Sequence, residues 1–306
     1  MLKAFLFLVI IFSAGGCNSK KQPVLSSCLT AEEKMDLEYF LRFLIFENYG
    51  AFVLFGSKPL CEMYVSDCDP EVIEATRQKR LASMSDDERI QWECELAKRK
   101  ASGSLIEVEF TRNPYDGWLA LEKTIKTFRI KQYIIGVDDQ SERGDRRIVL
   151  ANIQKTALIL AENYLIFKDA AGMDFHPLQV VFELQNPNSK FWKNIFETKN
   201  HVAKGLLFGF GLKNSLFGDW RFKQFHKNLS TELDKEVAEY LKNASFNVST
   251  ETVEFGKGSP SNFTIPLFGI IEGDDAVERY KKEKREIEKV YLGQDLVEVT
   301  LHRLAS

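Results

Sequence analysis

Asp174 and His176, separated by one residue, place a carboxylate and an imidazole on the same side of an extended segment. That pairing suits proton transfer or two ligands of a metal ion. Pro177 follows at once, so the same stretch also reads as a helix start, with proline in the first turn and the residues before it as caps. No His-Glu-x-x-His, Gly-x-Ser-x-Gly or Walker-type glycine loop adds a third ligand, a nucleophile or a phosphate cradle. His201, His226 and His302 stand isolated. Asp174 and His176 are therefore the candidate acid/base or metal pair, and no cofactor is expected. The thiols are the other reactive groups. Cys28, Cys61, Cys68 and Cys94 lie in the first third of the chain. In an exported protein they admit two disulfides in any of three pairings, which spacing does not separate. The alternative is four reduced thiols, and Cys94 falls on the apolar face of its helix, where cysteine acts as a small hydrophobe. The gap from Cys61 to Cys68 is too long for a redox Cys-x-x-Cys and has no paired histidines for zinc.

Cys17 is set apart by what precedes it. Met1, Leu2 and Lys3 make a short basic start, Ala4 to Phe12 is unbroken apolar sequence, and Ser13 to Gly16 are small. This is the order of a secretory signal cut between Gly16 and Cys17. It resembles bacterial lipoprotein signals, in which the cysteine thiol of the lipobox takes a diacylglycerol; Cys17 is the matching residue, and Ala14 stands where the pattern prefers leucine. The apolar run falls short of the ~20 residues that span a bilayer. The division expected is residues 1–16 as signal, 17–29 as lipidated cysteine and flexible tether, and 30–306 as one globular domain with a soft boundary near 170–190. Asn18 is not the aspartate that holds enterobacterial lipoproteins at the inner membrane, so the resemblance implies the periplasmic side of the envelope, outer membrane before inner.

The elements that must position these groups are mostly helical. Thr30-x-x-Glu33 is a capping box opening a helix to about Asn48, with Leu37, Phe40, Leu41 and Leu44 as its buried stripe. Ala51 to Phe55 and Leu60 to Val65 read as two extended segments around the turn Gly56-Ser57-Lys58-Pro59. Helices are expected over about 70–83, 86–101, 116–130, 152–169, 230–243 and 274–292, with two short ones within 191–227. Leu105 to Thr111 alternates as a strand, and Tyr133 to Val137 with Arg147 to Leu150 form a hairpin-like pair. Residues 244–262 read as a loop, 263–271 as extended, and 295–304 as strand or helix. The class expected is α+β, predominantly α-helical with a few short strands or hairpins.

A formal net charge of −3 over 306 residues leaves no electrostatic footprint for nucleic acid. With 24 Phe among 12% aromatic residues, the chain has the composition of a globular body with a phenylalanine-rich core. The Lys- and Glu-rich run from Lys281 to Glu286 alternates sign on a helix whose apolar stripe is Val277, Tyr280, Ile287 and Tyr291, the pattern of a solvated face. Gly205-x-x-x-Gly209, between Lys204 and Lys213, reads as a tight helix contact in a soluble core rather than a membrane dimer seam. Three stretches, Tyr49 to Pro59, Gly205 to Ser215 and Glu298 to Leu301, resemble in order and spacing the uncharacterised lipoproteins of chlamydia-like bacteria. That resemblance implies an envelope address and carries no catalytic residue. The function expected is a membrane-anchored periplasmic binding or scaffolding module, held by lipid at Cys17, with an envelope protein as its further partner. The alternative is an envelope hydrolase or other enzyme working through Asp174 and His176.

Overall fold

The capping box forms: the Thr30 hydroxyl accepts from the Glu33 N–H, and the Glu33 carboxylate accepts from the Thr30 N–H at 2.7 Å. It opens α1, Ala31–Arg42, which runs on through a wider π turn, Phe43–Glu47. The computed structural model describes residues 24–66, 85, 113–138, 145–197, 200–225, 253–254, 260–261, 266 and 275–306. The helices expected over 70–83, 86–101 and 230–243, the strand over 105–111 and nearly all of the extended run over 263–271 lie outside them. So does the 244–262 loop, apart from β4, Val253–Glu254, and β5, Pro260–Ser261, which pair antiparallel.

In chain order the other elements are α2, Gly50–Leu54; β1, Leu60–Ser66; α3, Pro114–Ile125; β2, Tyr133–Asp138; β3, Asp145–Asn152; α4, Ile153–Glu162; and α5, Tyr164–Ala171. They continue with α6, Pro177–Phe182; α7, Lys190–Glu197; α8, His201–Leu207; α9, Leu212–Phe225; α10, Ala276–Tyr291; and α11, Leu296–Ala305. The predominantly helical α+β class is thus what the chain adopts.

Three elements differ from expectation. Ala51 to Phe55 is not a strand but lies in α2 and its end, and every residue of the helix is buried. A short apolar run enclosed on all sides has no amphipathic period to read, and a helix satisfies its own backbone where a strand would need neighbours. The helix over 152–169 breaks at Asn163, whose N–H and side-chain amide both donate to the Ile159 carbonyl at 3.1 Å, the local competition that asparagine brings to a helix interior. Residues 191–227 hold three helices rather than two. Residues 295–304, undecided by periodicity, are the helix α11, capped by Asp295 accepting from the Glu298 N–H.

The sheet has the order β1-β3-β2, with both pairs antiparallel. Its pleat sends Cys61, Met63, Val65, Ile148, Leu150 and Tyr133 to one face, into a core shared with α1, α2, α3, α10 and α11. Leu60, Ile134, Val149 and Ala151 point the other way, into a second core built from α4 to α8. The described body is therefore three layers, helices on each side of a small sheet. Val277, Tyr280, Ile287 and Tyr291 of α10 are all buried, as their stripe predicts, but Lys284 is buried with them, 3.6 Å from Glu288.

Candidate functional site

The segment between α2 and β1 begins as an apolar run and carries one cation into the interior. Lys58 is 2% exposed. Its ammonium donates to the Phe208 carbonyl at 2.8 Å and lies 5.6, 5.1 and 5.2 Å from the ring centroids of Tyr49, Phe208 and Phe210. Burial pulls this ammonium down from 10.5 to about 8, with Cys61 and Glu62 on the adjoining strand opposing that fall. Three aromatic faces and a carbonyl supply the partners a buried cation requires.

The Phe208–Phe210 turn closes over Lys58 because Gly209 adopts φ +79°. A Cβ there would meet the Tyr280 hydroxyl oxygen at 2.6 Å and Pro59 Cδ at 3.1 Å, so glycine is required for both conformation and space. The Tyr280 hydroxyl donates to the Gly209 carbonyl at 2.9 Å. Just upstream, Gly205 carries the other close approach: a Cβ would fall 2.5 Å from Ser215 Oγ, which makes the Gly205-to-Gly209 run the tight α8–α9 contact expected of it.

The carbonyls at the end of α2 are satisfied from three directions. Arg303 Nε and the Tyr133 hydroxyl each donate to the Leu54 carbonyl at 2.8 Å, and Lys155 donates to the Gly56 carbonyl. The Arg303 guanidinium also lies 5.2 Å from the Phe55 ring centroid. The Glu283 carboxylate accepts from the Ser57 N–H at 3.0 Å. A helix end leaves such groups without intrahelical partners, and here α4, β2, α10 and α11 provide them. A buried lysine with a lowered pKa has the makings of a nucleophile. Lys58 is instead committed to the chain's own backbone, and the site as built is a cationic clasp joining residues 49–59 to residues 205–215.

The third stretch forms a separate clamp. The Glu298 carboxylate accepts from the Leu25 N–H at 2.9 Å, the Ser26 N–H at 3.1 Å and the Ser26 hydroxyl at 2.5 Å, fixing a 3₁₀ turn, Leu25–Cys28, on α11. Residues 25–29 therefore pack on the body, although the tether was expected to reach residue 29. Beside the clamp lies a cavity of about 490 Å³ lined by Val24, Phe55, Gln294, Glu298, His302 and Arg303, among others. His302 Nε2 is 3.7 Å from Glu298.

Asp174 and His176 are both exposed. Asp174 is held by Lys168 at 2.8 Å and by the Tyr164 hydroxyl at 2.8 Å, and these two partners, Lys168 first, keep its carboxyl below the usual range. His176 caps α6 through its backbone, with no side-chain capping bond, and Pro177 begins the helix. Proximity in sequence has joined Asp174 to α5 rather than to His176. Among the described residues no three of His, Cys, Asp and Glu gather where they would hold a metal ion. Cys28 is exposed with Sγ 3.9 Å from Thr124 Oγ1, and Cys61 is buried on β1, where burial pushes its thiol up to about 12. Both are free thiols; Cys17, Cys68 and Cys94 lie outside the described residues.

Lys58 was not among the residues singled out from sequence. The available signal was a lone cation in the linker between two buried apolar runs, directly before a proline. Compared with known protein families, with curated proteins and with solved structures, the chain matches none.

Proposed function

We propose that this chain is a bacterial envelope lipoprotein of the kind its N-terminal residues and three internal stretches resemble, tethered by lipid at Cys17 on the periplasmic side and acting by binding or scaffolding. The outer membrane is the favoured site, and an envelope protein the favoured partner. The observation that carries this reading is the Glu298 clamp. Val24 is 58% exposed, and two residues later Ser26 is buried and held through backbone and side chain by Glu298. Val24 therefore lies at the surface of the body, next to a point fastened to α11, which suits a pulled tether. The seven peptide links from Cys17 to Val24 span at most about 25 Å, so an acylated Cys17 would keep the clamp near the bilayer surface. Among the described residues no helix is long and apolar enough to cross a membrane.

The test is incorporation of labelled palmitate into the wild type and Cys17→Ser, with detergent phase partitioning of both. Label and detergent-phase partitioning lost together in the variant support the anchor; no label in either protein rejects it. In-cell cross-linking followed by mass spectrometry then identifies the partner, and turnover of a substrate by purified protein without any captured partner would reject the binding role.

A further inference from the structure

At the outer edge of β2 the structure carries a second cavity, of about 310 Å³, where the α3–β2 connection meets α4 and α6. Ile130, Ile135, Ile153 and Phe182 give it an apolar floor, and Arg129 and Lys131 stand at its side. Phe182 is 52% exposed, a large ring left facing solvent at the end of α6. None of the lining residues is acidic. Arg129 and Lys131 are both exposed, and among the described residues neither has a carboxylate partner, whereas Lys123 and Lys126 on the neighbouring helix are paired with Glu33 and Glu122. A hollow of mixed apolar and polar lining beside two uncommitted cations matches a ligand with an apolar tail and an anionic head.

We infer that this cavity binds a single anionic amphiphile, an acyl chain with a carboxylate head, the chain lying on Phe182 and the isoleucines and the head meeting Arg129 and Lys131. Burial of the chain contributes affinity, while solvent-exposed cations orient and select the head. The volume lies at the lower end of small-molecule sites, which suits one chain rather than the two of a phospholipid. This inference gives a ligand class to the binding role proposed above and does not depend on the lipid anchor.

The experiment is calorimetric titration of sodium dodecanoate, below its micellar concentration, into the full mature protein and into the same protein with Cys17→Ser. The expected result is saturable one-to-one binding in both, with no binding of dodecyltrimethylammonium. The double variant Arg129→Glu/Lys131→Glu should bind dodecanoate at least about tenfold more weakly, and Phe182→Ser should lose a comparable factor, while Lys126→Glu leaves binding unchanged. Both cations and Phe182 are surface residues, so folding of each variant is checked by circular dichroism and a retained spectrum is expected. The inference is overturned by absence of saturable dodecanoate binding, by equal binding of the cationic amphiphile, or by binding indifferent to both sets of changes. Binding to anionic phospholipid vesicles without binding to monomeric dodecanoate would also overturn it, since the surface would then read a bilayer.

Discussion

The two faces of the sheet are covered by cores of different construction. On the face of Cys61 and Leu150, the helices come from both ends of the described chain, residues 31–54, 114–125 and 276–305. Polar bonds between distant residues accompany the packing: Arg303 and Tyr133 to Leu54, Lys155 to Gly56, Glu283 to Ser57, Tyr280 to Gly209. On the face of Leu60 and Val149, the cover is almost one continuous stretch, α4 to α8, residues 153–207. Its outer side leaves Leu158, Leu165, Leu178 and Phe182 in solvent. The first face thus joins distant parts of the chain. The second is local in sequence, and the cavity proposed to bind an amphiphile opens at the β2 edge between the two, with Ile130 and Ile135 packed against the first core and Ile153 against the second. Lys58 reaches from the first to the second, since its carbonyl partner Phe208 packs against the second core.

The comparison is tested most severely at α2. Phe52→Ala removes a fully buried ring that packs edge-on to Tyr280 at 5.2 Å, and should cost about 3–5 kcal/mol in denaturant unfolding. A loss below about 1 kcal/mol would mean that the first core does not hold the molecule together. Next, Arg303→Met strips the Leu54 carbonyl of its charged donor and should cost about 1.5–3 kcal/mol by the same measurement; native-state hydrogen exchange should open α2 and α11 before α4 to α8.

A smaller effect isolates the link between the two cores. The folded chain holds the Lys58 ammonium at about 8 instead of 10.5, so between those values the unfolded chain binds a proton that the folded chain has released, and stability rises with pH. Below pH 8 both states are protonated and the burial cost is present in full. Cys61, pushed up from 9 to about 12, acts with the opposite sign above pH 9, where the unfolded thiol ionises and the folded one does not. The clear window is therefore pH 8 to 9, where wild type should gain about 1 kcal/mol and Lys58→Met should stay flat. A flat wild-type profile, measured by denaturant titration at each pH, would show that Lys58 remains fully charged when folded. The smallest effect expected is at the outer side of the second face: Leu165→Lys, at a position 77% exposed, should change stability by less than about 0.5 kcal/mol. A larger loss would indicate that this side is covered.

Local chemistry made much of this legible. The capping box at Thr30 and Glu33, the Pro177 helix start, the stop at Gly172 and the inward stripe of α10 depend on neighbours a few residues apart, and each formed as read. The α2 helix is not legible in the sequence because complete burial erases periodicity. The meeting of Lys58 with Phe208 was invisible because 150 residues separate them. Asp174 shows the reverse: two residues from His176, it is bound by Lys168 and Tyr164, since the break at Asn163 and the end of α5 set which neighbours its carboxylate reaches.

By itself the sequence determined the helix-rich class and, among the described residues, several helix starts and stops, the buried stripes of α1 and α10 and the α8–α9 glycine contact, because backbone preference and hydrophobic period act over one or two turns. The tertiary structure alone decided that three dispersed stretches become a buried cationic clasp and a surface clamp. It alone decided, too, that Arg129 and Lys131 stand beside a hollow floored by Ile130, Ile135, Ile153 and Phe182. A buried charge takes partners from whichever elements packing brings to it, and a cavity exists only where those elements fail to meet.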